Sequence, residues 1–219
     1  MKDERNYGID LLRLVLMYMV CILHTLGQGG ILEACELGTA EYRTFWLIEI
    51  LSYCAVDGFA IISGYTAVDK PRRFEKLADM WFQAFFYSFV VTVILTIAGL
   101  NPSWSVKSLI KRAMPVTFGT FWYFTAFFAL FFAIPVLNRF VFAVDERTAR
   151  IALIVMVVLF SCIELQTGVF KMDRGYSVFW LMVLYCMGAL AKRGRVFERK
   201  RTVTLAAMWM ACIFLTWYV

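Results

Sequence analysis

Charge is scarce in this chain. Only 17% of its 219 residues are Asp, Glu, Lys or Arg, against 62% hydrophobic, and mean hydropathy is +0.71. A soluble domain of this length seldom carries so little charge. Histidine is scarcer still, with His24 as the single copy. One histidine excludes a bis-histidine haem or a multi-histidine zinc site within one chain, so no metal is expected. The six cysteines show no C-x-x-C spacing. Cys21, Cys54, Cys162, Cys186 and Cys212 lie in apolar segments and read as packing residues rather than a disulfide framework. There are no internal repeats and no low-complexity linker, so residues 1–219 read as a single domain.

What is present is a series of apolar runs close to the ~20 residues that a membrane helix needs. Seven can be drawn, at about 9–27, 45–67, 78–100, 121–142, 151–170, 176–191 and 202–219. The sixth is short, and Glu164 interrupts the fifth. The 21 Phe, 10 Tyr and 7 Trp supply material for interfacial belts. The expected fold class is an all-α, polytopic membrane helix bundle of about seven transmembrane helices. Asp10 and Arg13 break the first apolar run and no small-x-small cleavage site follows it, so it reads as a retained span rather than a cleaved leader. The seventh run ends while still apolar, as either a short complete span or a chain cut within a longer protein; truncation is the expectation.

The net charge of +6 invites a nucleic-acid reading, which the placement of the charges argues against. With the N-terminus inside, 15 of the 22 Lys and Arg fall on inner connections and 6 on outer ones, with Arg13 inside a span. That asymmetry is the positive-inside rule, and it places the N-terminus in the cytoplasm of a multi-pass cell-membrane protein. No nucleic-acid partner is expected; the bilayer is. Between the third and fourth runs, Val106, Leu109, Ile110 and Ala113 recur at helical spacing among Lys107, Lys111 and Arg112. That pattern predicts a short amphipathic helix on the membrane surface.

Arg13 and His24 are the informative pair. Eleven residues turn an α-helix through about three revolutions, so both side chains share one face about 16 Å apart along the axis. Ionisable groups inside a membrane helix are costly and commonly line a ligand path. Bland readings stand beside that one. Arg13 could pair with Asp10 at i, i+3 or snorkel to headgroups, and His24 could be a hydrogen-bonded interfacial residue. Alternating helix directions put Glu49 and Glu164 near the level of His24, Asp57 mid-membrane, and Ser63, Gly64 and Tyr65 near Arg13. Ser63 and Gly64 equally suit close helix packing. Trp122 and Tyr123 open the fourth run on the outer side.

The segment R-N-Y-G-I-D-L-L-R-L-V-L-M-Y-M-V-C-I-L-H resembles the N-terminus of the acyltransferase-3 family of integral membrane acyltransferases, through Arg13, ten residues, then His24. D-G-F-A-I-I-S-G-Y-T is similar to the family's F-x-I-S-G-Y segment through Phe59, Ile62, Ser63, Gly64 and Tyr65. The basic pair that follows is matched by Arg72 and Arg73, with Lys76 beyond. F-W-Y-F-T-A-F-F-A-L-F-F-A-I-P-V-L resembles a further family helix through Trp122, Phe124 and Pro135. The likeness covers residues 5–140 well. Family members usually have about ten membrane helices, which favours a truncated C-terminus here.

The resemblance implies transfer of an acyl group, commonly acetyl, from cytoplasmic acyl-CoA to a hydroxyl of an extracytoplasmic glycan or other cell-envelope acceptor. On that reading acyl-CoA is the co-substrate and no metal is required. His24 is the general base, Arg13 lies deeper at the donor entrance, and Glu49 orients the imidazole. Arg72, Arg73 and Lys76 meet the donor's phosphates. Asp10, Ser63, Tyr65, Trp122 and Tyr123 complete the substrate-binding set. The competing expectations are a non-enzymatic transport or ligand-binding domain, and an inactive fragment of the acyltransferase.

Overall fold

Five helices begin on the residue types that satisfy orphan backbone N–H groups. The Asn6 side chain accepts from the Ile9 amide, Thr39 from Tyr42, Ser105 from Ser108, Asp145 from Thr148 and Ser177 from Trp180. At Asp145, which lies in the connection outside the spans, these bonds hold the carboxyl below the usual carboxylate range.

The computed structural model describes residues 6–71, 73–100, 105–197 and 202–218. In chain order the helices are α1 (Tyr7–Leu23), α2 (Ile31–Ala34), α3 (Ala40–Ser52), α4 (Ala55–Ala67), α5 (Phe74–Phe85), α6 (Val91–Ile97), α7 (Val106–Ala113), α8 (Trp122–Phe142), α9 (Glu146–Val157), α10 (Glu164–Thr167), α11 (Val178–Arg193) and α12 (Thr202–Tyr218). The described residues form helices and connections, with no strand among them. Wider π-helical turns occupy His24–Gln28, Phe86–Val90 and Val158–Ile163. The first continues α1, the second joins α5 to α6, and the third joins α9 to α10.

Among the described residues, four helical stretches are long and apolar enough to cross a membrane: Tyr7–Gln28, Ala40–Ala67, Phe74–Ile97 and Trp122–Phe142. They correspond to the first four apolar runs. The second begins at Ala40, earlier than its hydropathy suggests, and is interrupted between α3 and α4 at Tyr53 and Cys54. Large apolar side chains such as Leu11, Leu14 and Tyr18 on α1 and Phe82 and Tyr87 on the third stretch are exposed. A protein in water would hide such surface; one in lipid has no need to. The amphipathic α7 forms as its spacing predicts, with Val106 and Ile110 exposed, while Trp104 lies outside the described residues.

The packing centre is α11, the run that looked too short to span. Leu181, Leu184, Tyr185, Gly188, Ala189 and Ala191 are among its buried residues, and it packs against α4, α8 and α9. A helix walled by protein has no hydrocarbon thickness to match, so its length is set by its neighbours. Its crossing with α4 is close enough to require glycine on both sides. A Cβ on Gly64 would overlap the Tyr185 carbonyl, and one on Gly188 would overlap the Ile61 carbonyl. Small residues at a crossing let backbones approach where lipid supplies no hydrophobic drive.

Polar bonds inside the bundle fix the third partner. The Tyr185 hydroxyl donates to Asn138 Oδ1 at 2.9 Å, and Asn138 Nδ2 donates to the Val68 carbonyl at 3.2 Å, linking α11, α8 and the end of α4. Tyr185 is fully buried. Tyr185→Phe removes the donor to Asn138 and is expected to cost about 1 kcal/mol of stability. Thermal unfolding of the purified variant in detergent measures it.

Candidate functional site

The candidate residues Arg13 and His24 lie on the first span, and three contacts set its register against the second. Arg13 reaches the Thr66 hydroxyl of α4, Leu16 packs where a Cβ on Gly58 would stand, and Gly27 lies against the Glu49 carboxylate. The partner number falls as the α1 number rises, so the two spans run antiparallel. The depth ordering expected from hydropathy is therefore realised in contacts. Arg13 sits at the level of the α4 C-terminus, and His24 at the level of the C-terminal end of α3.

Arg13 makes two long contacts, to Asp10 Oδ1 and to Thr66 Oγ1, each at 3.5 Å. The local pairing with Asp10 is thus present, but it does not consume the guanidinium. Arg13, itself exposed, shares a face of α1 with Leu16 and the half-buried Val20, and the exposed His24 follows one turn beyond Val20. Leu16, between them, is buried.

His24 is the first residue of a π-helical turn, a local widening that recurs at functional sites. Its Nδ1 lies 2.8 Å from the Val20 carbonyl oxygen. A carbonyl only accepts, so Nδ1 is the protonated nitrogen. In the neutral ring, Nε2 then holds the lone pair. The imidazole is not buried within the protein.

Glu49 arrives at this level but not at the imidazole. Its Oε1 is about 4.0 Å from the Cβ position of Gly27, three residues past His24, and Tyr53 interacts with its carboxylate. Its Oε2 is buried and accepts no hydrogen bond from the described residues. The orienting contact expected from Glu49 is made instead by the Val20 carbonyl. Glu164 is not part of this assembly. Its two oxygens accept the Phe170 and Met172 amides at 2.7 and 2.9 Å, pinning the loop after α10.

The aromatic pair at the start of α8 meets a cluster that sequence reasoning left unassigned. Trp122 packs on Tyr176 with ring centroids 4.7 Å apart, and Tyr123 stacks on Phe127. The Trp180 indole N–H donates to Asp57 Oδ1 at 2.9 Å, tying α11 to α4. Asp57 is in turn within electrostatic reach of Tyr123, and Tyr53 of Tyr176. Carboxylates and aromatic faces thus share one end of the bundle with Glu49. The available signal was Trp180 itself, since a buried indole N–H needs an acceptor.

At the opposite end, Ser63 bonds back to the Phe59 carbonyl at 2.8 Å, and Tyr65 packs edge-on to Phe197 with the Lys192 ammonium 5.9 Å from its ring centre. Arg73 and Lys76 sit on the exposed turn that opens α5, with Arg73 3.8 Å from Glu75. Arg72 lies outside the described residues. Arg13, Ser63 and Tyr65 are thus gathered around the second half of α4, while Arg73 and Lys76 stand apart on the surface. No group of three or more His, Cys, Asp or Glu poised to hold a metal ion occurs among the described residues.

A family model described as an acyltransferase domain, that of the acyltransferase-3 family, matches residues 6–219. No curated protein and no solved structure shows significant similarity to the chain.

Proposed function

The chain belongs to the acyltransferase-3 family, and from that premise we propose that it moves an acyl group, acetyl by family habit, from cytoplasmic acyl-CoA to a hydroxyl on the far side of the membrane. The observation that carries this reading is the bond between His24 Nδ1 and the Val20 carbonyl. It holds the ring in the tautomer whose Nε2 can take a proton.

The acceptor is a glycan or another cell-envelope hydroxyl, approaching from the end where the Glu49, Asp57, Trp122 and Tyr123 side chains lie. Nε2 removes the hydroxyl proton as the oxygen attacks the thioester carbonyl carbon. The new C–O ester bond forms, the C–S bond breaks, and the imidazolium returns the proton to the departing thiolate, giving free CoA. Arg13, one helical path below, holds the donor's arm at its cytoplasmic entrance, and Arg72, Arg73 and Lys76 draw its phosphates to that face. This reading carries with it the seven-span topology and the cytoplasmic N-terminus that the Lys and Arg asymmetry supports.

The test is thioester consumption by the purified chain in proteoliposomes given acetyl-CoA and a mixture of envelope glycans. Release of free thiol, lost in Arg13→Gln, is the expected outcome. Solute flux without any thioester cleavage would replace this reading by a transport function.

A further inference from the structure

The ends of α4, α8 and α11 enclose a pocket of about 250 Å³ on the basic face of the bundle. Its floor is apolar, from Val141 and Ala189, and its rim holds Asp69, Lys192, Arg193 and Arg195. Three cations face one carboxylate. Lys192 is paired to Asp69 Oδ2 at 2.6 Å, and Arg193 is anchored through its Nε to the Val144 carbonyl at 3.0 Å. That anchoring positions the guanidinium, and its two terminal amino groups have no hydrogen bond among the described residues. Arg195 follows the Gly194 cap in a left-handed conformation, φ 50°; its backbone N–H donates to the Lys192 carbonyl at 3.1 Å, while its guanidinium has no hydrogen bond or ion pair among the described residues.

Lys192 and Arg193 lie in the last turn of α11, where cations offset the negative end of the helix dipole. Arg195 lies beyond that turn and serves no such purpose. Surplus positive charge over an apolar floor is stabilised by an anion, and guanidinium groups match the oxygens of phosphate two at a time.

We propose that this pocket binds a phosphate ester, with Arg193 and Arg195 as its ligands and the Lys192–Asp69 pair as its fixed wall. On the acyl-transfer reading, on which only the ligand's identity rests, the ester is part of the acyl-CoA donor. Lys192 on the pocket rim lies 5.9 Å from the centre of the Tyr65 ring, and Thr66, the next residue, is the one that Arg13 contacts. A phospholipid headgroup offers the same chemistry from another source.

The experiment titrates the purified full chain with coenzyme A by calorimetry, and separately measures anionic lipid retained from phosphatidylglycerol nanodiscs by native mass spectrometry. Arg195→Glu is expected to weaken coenzyme A binding at least about tenfold, with Arg195→Gln intermediate. Arg147→Glu, exposed on the same face outside the pocket, is expected to leave binding within about twofold. If coenzyme A binding is indifferent but phosphatidylglycerol retention falls in Arg195→Glu, the occupant is lipid. If neither responds, with an unchanged size-exclusion profile, the proposal is overturned. Coenzyme A binding that depends on Arg195 in a chain showing no acyl transfer would remove the proposed function and keep the pocket.

Discussion

His24→Ala is expected to reduce acyl transfer by about 10²- to 10⁴-fold, the usual contribution of a positioned general base. Insertion and purification should match the wild type, because the side chain is unburied and, among the described residues, its one bond is to the carbonyl of its own helix. His24→Gln sharpens the point. Glutamine can still donate to a neighbouring carbonyl, but it has no basic lone pair, so it is expected to be as inactive as alanine. Labelled-acetyl transfer in membrane vesicles is the readout. Normal labelling by both variants would remove His24 from the chemistry.

The second large effect is structural. Gly64→Val and Gly188→Val each place a branched side chain where the facing helix has a backbone carbonyl, of Tyr185 and Ile61 respectively. A flexible side chain could move aside, but a helical backbone cannot without parting the two helices. Overpacking where neighbours can adjust costs about 1–3 kcal/mol. Here a cost of at least about 3 kcal/mol is expected, enough to abolish recovery of monodisperse protein. Ser63→Ala, adjacent on α4, loses only a bond to its own helix and is expected to cost about 1 kcal/mol or less. Thermal unfolding and size-exclusion profiles compare the three. Wild-type melting of both glycine variants would mean that the α4–α11 crossing is looser than described.

Both effects trace to features of different legibility. The α1 stripe was readable because Arg13 and His24 belong to one helix, where spacing alone sets the shared face. The antiparallel register with α3 and α4 was readable too, since consecutive spans must alternate direction. Other features depend on residues far apart in the chain. Trp180 and Asp57 pair across 123 positions, and nothing local in either run names the other. The central place of α11 was hidden for a related reason. Hydropathy measures fitness to face lipid, whereas α11 faces protein, and its Gly188, Ala189 and Ala191 read as weak hydrophobicity rather than close packing.

The charges show the limits most clearly. Lys192, Arg193 and Arg195 counted toward topology as part of a basic loop, and counting cannot tell a headgroup contact from a pocket rim. Conversely, Arg73 and Lys76, chosen by resemblance to a family motif, stand exposed at the N-cap and first turn of α5. Glu164 looked like a site carboxylate because depth placed it beside His24. Backbone amides of its own loop claim both its oxygens.

The central claim is that acyl groups pass along α1 from the basic face of the bundle to the end where His24 lies. Sidedness tests it most directly. Right-side-out and inside-out membrane vesicles containing the chain are given labelled acetyl-CoA outside and a hydroxyl acceptor sealed within. The account predicts that the enclosed acceptor is labelled only in inside-out vesicles, where the basic face meets the donor, and only while His24 is intact. Labelling restricted to right-side-out vesicles, or equal labelling with His24 replaced, would contradict it.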